Sequence, residues 1–144
     1  MRPTSLTAIV FLSLQMALHG QKLNLQGRDL GFPDQAVMRR VRVAEEGSFE
    51  LEVKKGNDLH SSLSVYCGVS PAPGVIYKEK NSWNSGEFSI HMASIFLEEI
   101  GKGELLLMVK KKGSPQMTIL ISATSEQFLN DWIAEIKEAF DGAE

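Results

Sequence analysis

His60 stands seven residues before Cys67, and His91 lies farther along, so the side chains of a Cys–His nucleophile pair are present in the chain. In such a pair the imidazole takes the thiol proton and the thiolate attacks. No local signature accompanies them, and Cys67 falls on the apolar side of an alternating segment, where a cysteine reads as core. Glu98 and Glu99 are adjacent rather than opposed, which suits a solvated edge better than an acid/base pair. There is no His-x-x-x-His, Cys-x-x-Cys or spaced acidic loop for a metal. Nor is there a Gly-x-Gly-x-x-Gly or Walker loop for a nucleotide, and Gly101-Lys102-Gly103 reads as a turn. No catalytic residue, metal or cofactor is assigned on these grounds. One aromatic stands apart: Trp83 sits among Asn81, Ser82, Asn84 and Ser85, where it serves either as a binding anchor at a loop tip or as a lid folded back on the core.

The elements that must position these residues are mainly strands. Phe49, Leu51 and Val53 alternate with Glu50, Glu52 and Lys54 over Ser48 to Lys55, the period of a strand with one buried face. Met38 to Ala44 sets Val41 and Val43 against Arg40 and Arg42, and Glu46-Gly47 predicts a tight antiparallel hairpin between the two segments. Ser62 to Cys67 alternates again through Leu63, Val65 and Cys67. Residues 70–74, Ser-Pro-Ala-Pro-Gly, break the chain, Val75 to Lys78 resumes it, and Asn81 to Gly86 reads as a second polar loop. Further strands are expected through Phe88, Ile90 and Met92, over Glu104 to Lys110 and over Met117 to Ser122, with Ala93 to Ile100 compatible with either a helical turn or an extended run. The lysine clusters Lys54-Lys55 and Lys110-Lys111-Lys112 mark strand ends, where lysine discourages edge pairing.

A helix closes the chain. Phe128, Leu129, Trp132, Ile133, Ile136 and Phe140 recur at helical spacing, with Glu126, Asn130, Asp131, Glu135 and Glu138 mostly off that stripe. Thr124 followed by Gln127 predicts a capping box, and Gly142 a left-handed stop. Such a stripe must cover a sheet or plug a barrel, so Trp132 is expected in the core.

The stretch from Ile119 to Ile136 resembles the end of a pleckstrin-homology domain, in which a last strand runs into an Ala-x-Ser segment and a helix with a single Trp followed by Ile. Ala123, Ser125, Glu126, Trp132, Ile133 and Ile136 fall at those positions. The resemblance implies an α+β, mainly β fold, with antiparallel strands forming a barrel or sandwich capped by the helix. It also implies that Lys22 and the pair Arg40-x-Arg42, beside Arg39, bind an anionic lipid headgroup such as a phosphoinositide. Arginine supplies bidentate hydrogen bonds to phosphate and lysine a point charge. Met38 and Val43 stand where that family carries aromatics, and Glu45 and Glu46 would repel a polyphosphate. The competing reading makes Arg39, Arg40 and Arg42 the solvated face of a strand, paired with Glu50 and Glu52 across the hairpin.

At the N-terminus, Arg2, an apolar run from Leu6 to Leu18 and Gly20 before Gln21 have the layout of a signal peptide. The run is shorter than the roughly 20 residues a membrane-spanning helix needs. A signal peptide over 1–20 and a single domain over 21–144 are expected, hence a secreted or periplasmic location; a buried element at 1–20 would instead fit a cytoplasmic protein. Export would leave Cys67 as the only thiol, without a partner in its own chain.

The 144 residues, 43% hydrophobic and 23% charged, fit one globular domain. With 15 Lys and Arg against 18 Asp and Glu, no nucleic-acid partner is expected. The expected function is a non-catalytic binding module, with a protein or peptide partner first and a phosphoinositide or anionic membrane second. A secreted or periplasmic inhibitor or small enzyme using the 70–74 and 81–86 loops is the alternative.

Overall fold

The computed structural model describes residues 22–33, 36–45, 48–67 and 76–142. The expected signal peptide and the 70–74 loop lie outside them. Among the described residues nine strands and one helix follow in order: β1 (Lys22–Leu25), β2 (Arg28–Gly31), β3 (Ala36–Glu45), β4 (Ser48–Lys55), β5 (Asp58–Cys67), β6 (Glu79–Ser85), β7 (Phe88–Leu97), β8 (Lys102–Lys111), β9 (Gln116–Ala123) and α1 (Glu126–Ala139). The fold is mainly β and wholly antiparallel, as expected, with one C-terminal helix.

Seven strands form one sheet in the order β3-β4-β5-β9-β8-β7-β6. Two meanders, β3–β4–β5 and β6–β7–β8–β9, therefore meet at the β5/β9 pair, in register from Ser61 opposite Ala123 to Cys67 opposite Met117. The sheet is open: its terminal strands β3 and β6 do not pair with each other, so the barrel alternative is not the one adopted. The architecture is sandwich-like, with α1 and the separate β1–β2 hairpin laid over one face.

Alternation in the strands explains that face. Leu51 and Val53 of β4, Leu63 and Val65 of β5, Ile90 and Met92 of β7, Leu105, Leu107 and Val109 of β8, and Ile119 and Ile121 of β9 are buried, and their chain neighbours point to the other side. From α1 come Leu129, Trp132 and Ile136, with Phe140 just beyond its end; the hairpin adds Leu23, Leu25 and Leu30, and Phe32 follows. Phe32 meets the Trp132 ring edge-on at 5.8 Å. Burial of large apolar side chains contributes roughly 1.5–3 kcal/mol each, so this stripe anchors the helix. The helix sits close to β8 because Gly103 is there: a Cβ at that position would lie 2.7 Å from the Leu129 Cβ.

Several local expectations are corrected. The N-cap is Ser125, whose Oγ accepts from the Phe128 N–H at 3.1 Å. Thr124 turns its hydroxyl to the Leu59 carbonyl, at 2.8 Å, and so ties the start of α1 to β5. At the other end the left-handed residue is Asp141, with φ 51°, not Gly142. The Gly142 N–H donates to the Lys137 carbonyl at 2.7 Å, the six-to-one bond of a Schellman stop. Ala93 to Leu97 continues β7, and the turn begins at Glu98. Ile76 to Lys78 is not strand; β6 begins at Glu79 and runs through Asn81–Ser85, which the polarity of its side chains had marked as a loop. Cys67 is exposed rather than core, since it is the last residue of β5.

Candidate functional site

The most catalytic-looking constellation lies where α1 meets β5. The His60 Nδ1 is 2.6 Å from the Ser61 Oγ, the Trp132 Nε1–H donates to the same oxygen at 2.8 Å, and the Asp131 carboxylate stands 3.6 Å from the His60 Nε2. The three residue types are those of a serine-hydrolase triad, but their setting is structural. Ser61 and His60 are wholly buried, with the imidazole stacked on Phe128 at 3.9 Å, so no substrate can reach the hydroxyl. Ser61 accepts from Trp132, and donating its own proton to Nδ1 satisfies the remaining pair; this assigns the His60 proton to Nε2, facing Asp131. Nε2 has no hydrogen-bond partner. Burial holds the His60 pKa below its usual 6.5, outweighing the upward pull of Asp131, and Lys55 pushes the same way as burial.

The Cys–His pair does not form. Cys67 ends β5 seven residues from His60, about 23 Å along an extended strand. His91 instead bonds the Ser82 hydroxyl across β6–β7, at 2.7 Å.

The basic residues are divided between the two sheets. Lys22 opens β1 and is exposed, opposite Gly31. Arg39 sits at a bulge in β3, Arg40 opposite Glu52 and Arg42 opposite Glu50. That register is the one the strand-face reading requires.

Trp83 lies mid-strand in β6, partly buried against the core, and its indole N–H donates to the Phe140 carbonyl at 2.7 Å. This carbonyl is one of those a helix end leaves without an internal partner. Arg28 does the same work one residue earlier, donating to the Ala139 carbonyl at 2.7 Å and to the Ser85 Oγ at 3.0 Å. Its guanidinium lies over the Phe88 and Phe140 rings, 4.9 and 5.4 Å from their centroids. The Ser85 hydroxyl donates a hydrogen bond to the Asp141 carboxylate at 2.8 Å. None of Arg28, Ser85 or Asp141 was legible as a group, because they are distant in sequence and meet only when the β6 edge docks on the end of α1.

Among the described residues no further strand pairs with β3 or β6, and these two edges of the sheet differ. β3 carries register shifts between Met38 and Arg40 and between Val43 and Glu45, whereas β6 pairs with β7 without interruption from Glu79 to Ser85. Bulges blunt an edge against further pairing; a regular strand leaves its outer N–H and C=O groups in an even row. On the face opposite α1, Leu106, Met108 and Leu120 are only half-buried. Among the described residues no helix is long and apolar enough to cross a membrane. No family model, curated protein or solved structure matches the chain.

Proposed function

We propose that the chain is a non-catalytic binding module, pleckstrin-homology-like in its use of a strand-and-helix scaffold, that takes a protein or peptide partner at its sheet edge. The observation that carries this reading is the uninterrupted outer edge of β6. An extended peptide adds to such an edge by main-chain hydrogen bonds, with alternate side chains selecting the sequence. The Gly86-Glu87 turn makes Ser85 and Phe88 a hydrogen-bonded closing pair, so alternation turns the backbone groups of Lys80, Ser82 and Asn84 outward. Export by the N-terminal apolar run belongs to the same proposal, as does an anionic headgroup at Lys22, Arg39, Arg40 and Arg42.

A random peptide library panned against the full chain tests the edge. Ser82→Pro removes one outward N–H and leaves the β6–β7 ladder intact, so selected peptides should lose binding. Vesicles containing phosphoinositide test the arginines through Arg40→Ala with Arg42→Ala. Peptide capture undiminished by Ser82→Pro, together with vesicle binding unchanged by the arginine pair, would remove the basis for both surfaces.

A further inference from the structure

Two hairpin turns stand side by side at one end of the sheet. The β6–β7 turn is Gly86-Glu87, and the β8–β9 turn begins at Lys112, whose N–H donates to the Glu87 carbonyl at 2.9 Å. Gly86 and Gly113 take φ of 61° and 81°, a region that other residues adopt at a cost, so these corners carry no side chain. The space left is an open cleft of 510 Å³, with Phe88 among its lining residues. Asn84, Ser89 and Lys110 are neighbours in register on three adjacent strands and line it together, as do Lys112 and Glu87. The Lys110 ammonium is held in place by the Ser114 carbonyl at 2.8 Å and keeps two further N–H groups.

The surrounding charge has the same sign. Behind Phe88, on the core side, lie the Lys111 ammonium, 5.9 Å from its ring centroid, and the Arg28 guanidinium. Asp141, the carboxylate on that side, is engaged by Ser85 and Arg28. A chain of net charge -3 thus gathers four cations at one end.

We propose that this cleft binds a phosphate group, either that of a soluble phosphomonoester or that of a lipid headgroup. Phosphate carries nearly two negative charges near neutral pH and three acceptor oxygens. Lys110 and Lys112 match the charge, and the Asn84 amide and Ser89 hydroxyl supply neutral donors. The cleft is larger than a lone phosphate and also admits part of the group it is attached to. Glu87 faces the same space and weakens the site. The proposal does not rest on edge pairing at β6 or on the β3 arginines: it uses the side chain of Asn84 and not the outward backbone groups of that residue, and no β3 residue lines the cleft.

Amide spectra of the full chain, titrated with inorganic phosphate against chloride at matched ionic strength, test it. Saturable shifts are expected at Asn84, Ser89, Lys112 and Gly113. Lys112→Gln should weaken binding about fivefold or more and Glu87→Gln should tighten it by about threefold. Phosphatidylcholine vesicles with and without phosphatidic acid form the second arm. A response to free phosphate alone assigns a soluble ligand, and vesicle binding with the same dependence on Lys112 and Glu87 assigns a headgroup. Absence of a saturable response in both arms, indifference to both substitutions, or shifts confined to Ala36–Glu45 would overturn the proposal.

Discussion

Gly103→Ala puts the docking of α1 to a quantitative test. The added methyl would lie 2.7, 2.9 and 3.1 Å from the Cβ, Cδ2 and Cγ of Leu129, inside the separation at which carbon atoms attract. Leu129 is 4% exposed and has nowhere to turn, and lifting the helix would stretch the 2.8 Å Trp132–Ser61 hydrogen bond. Overpacking of this kind costs about 1–3 kcal/mol, offset by about 0.4–1 kcal/mol because alanine restricts the unfolded chain. The net expectation is destabilisation by about 1–2 kcal/mol, read from urea unfolding as a lower midpoint at unchanged slope. Leu129→Ala removes two of the three clashing atoms and leaves the closest, so the double variant should recover about 1 kcal/mol of the sum of the single losses. A Gly103→Ala protein as stable as the parent would refute the close approach of helix and strand.

Stability should fall with acid through His60. Its native pKa lies below the 6.5 of the unfolded chain, so as pH drops through that value the unfolded state takes up a proton that the native state refuses. The stability is complete above 6.5 and is lost between there and the lowered native value; His60→Gln should flatten this dependence, compared by unfolding at about pH 7.5 and about pH 5.5. Trp83→Phe should cost about 1 kcal/mol and speed hydrogen exchange at the Phe140 and Gly142 amides, because the Phe140 carbonyl loses its donor. Ser125→Ala should cost about 1 kcal/mol in thermal or urea unfolding through the exposed Phe128 N–H, and an unchanged midpoint would return the cap to Thr124.

Strand and helix were legible wherever burial imposed a period. Leu51 and Val53, Leu105 to Val109 and the Trp132 stripe each report a buried face through spacing alone. Where side-chain polarity did not track burial, reading failed. β6 is an edge strand, so Asn81, Ser82 and Asn84 stay polar and exposed while the backbone is extended, and Trp83 and Ser85 turn inward. β1 and β2 have four residues each, too few for a period, although Leu23, Leu25 and Leu30 are fully in the core. The choice between Thr124 and Ser125 depended on the β5 carbonyls that draw the threonine hydroxyl away, a tertiary contact with no local signal. The cleft beside Gly86 and Gly113 was equally hidden: Lys110 and Lys112 could be read as strand-end charges, but their meeting with Asn84 and Ser89 is made by register.

The meeting of two meanders at β5 and β9 fixes when this protein can fold. β5 and β8 both have β9 as a neighbour, so until residues 116–123 have been synthesised each offers an unfinished edge, and the apolar sides of both meanders lack the helix that shields them. Every sheet contact between the halves spans dozens of residues, which slows closure. A nascent chain halted before Gln116 would hold two sticky half-sheets and bind chaperones or self-associate, and release of the last strand and helix would convert it in one cooperative step.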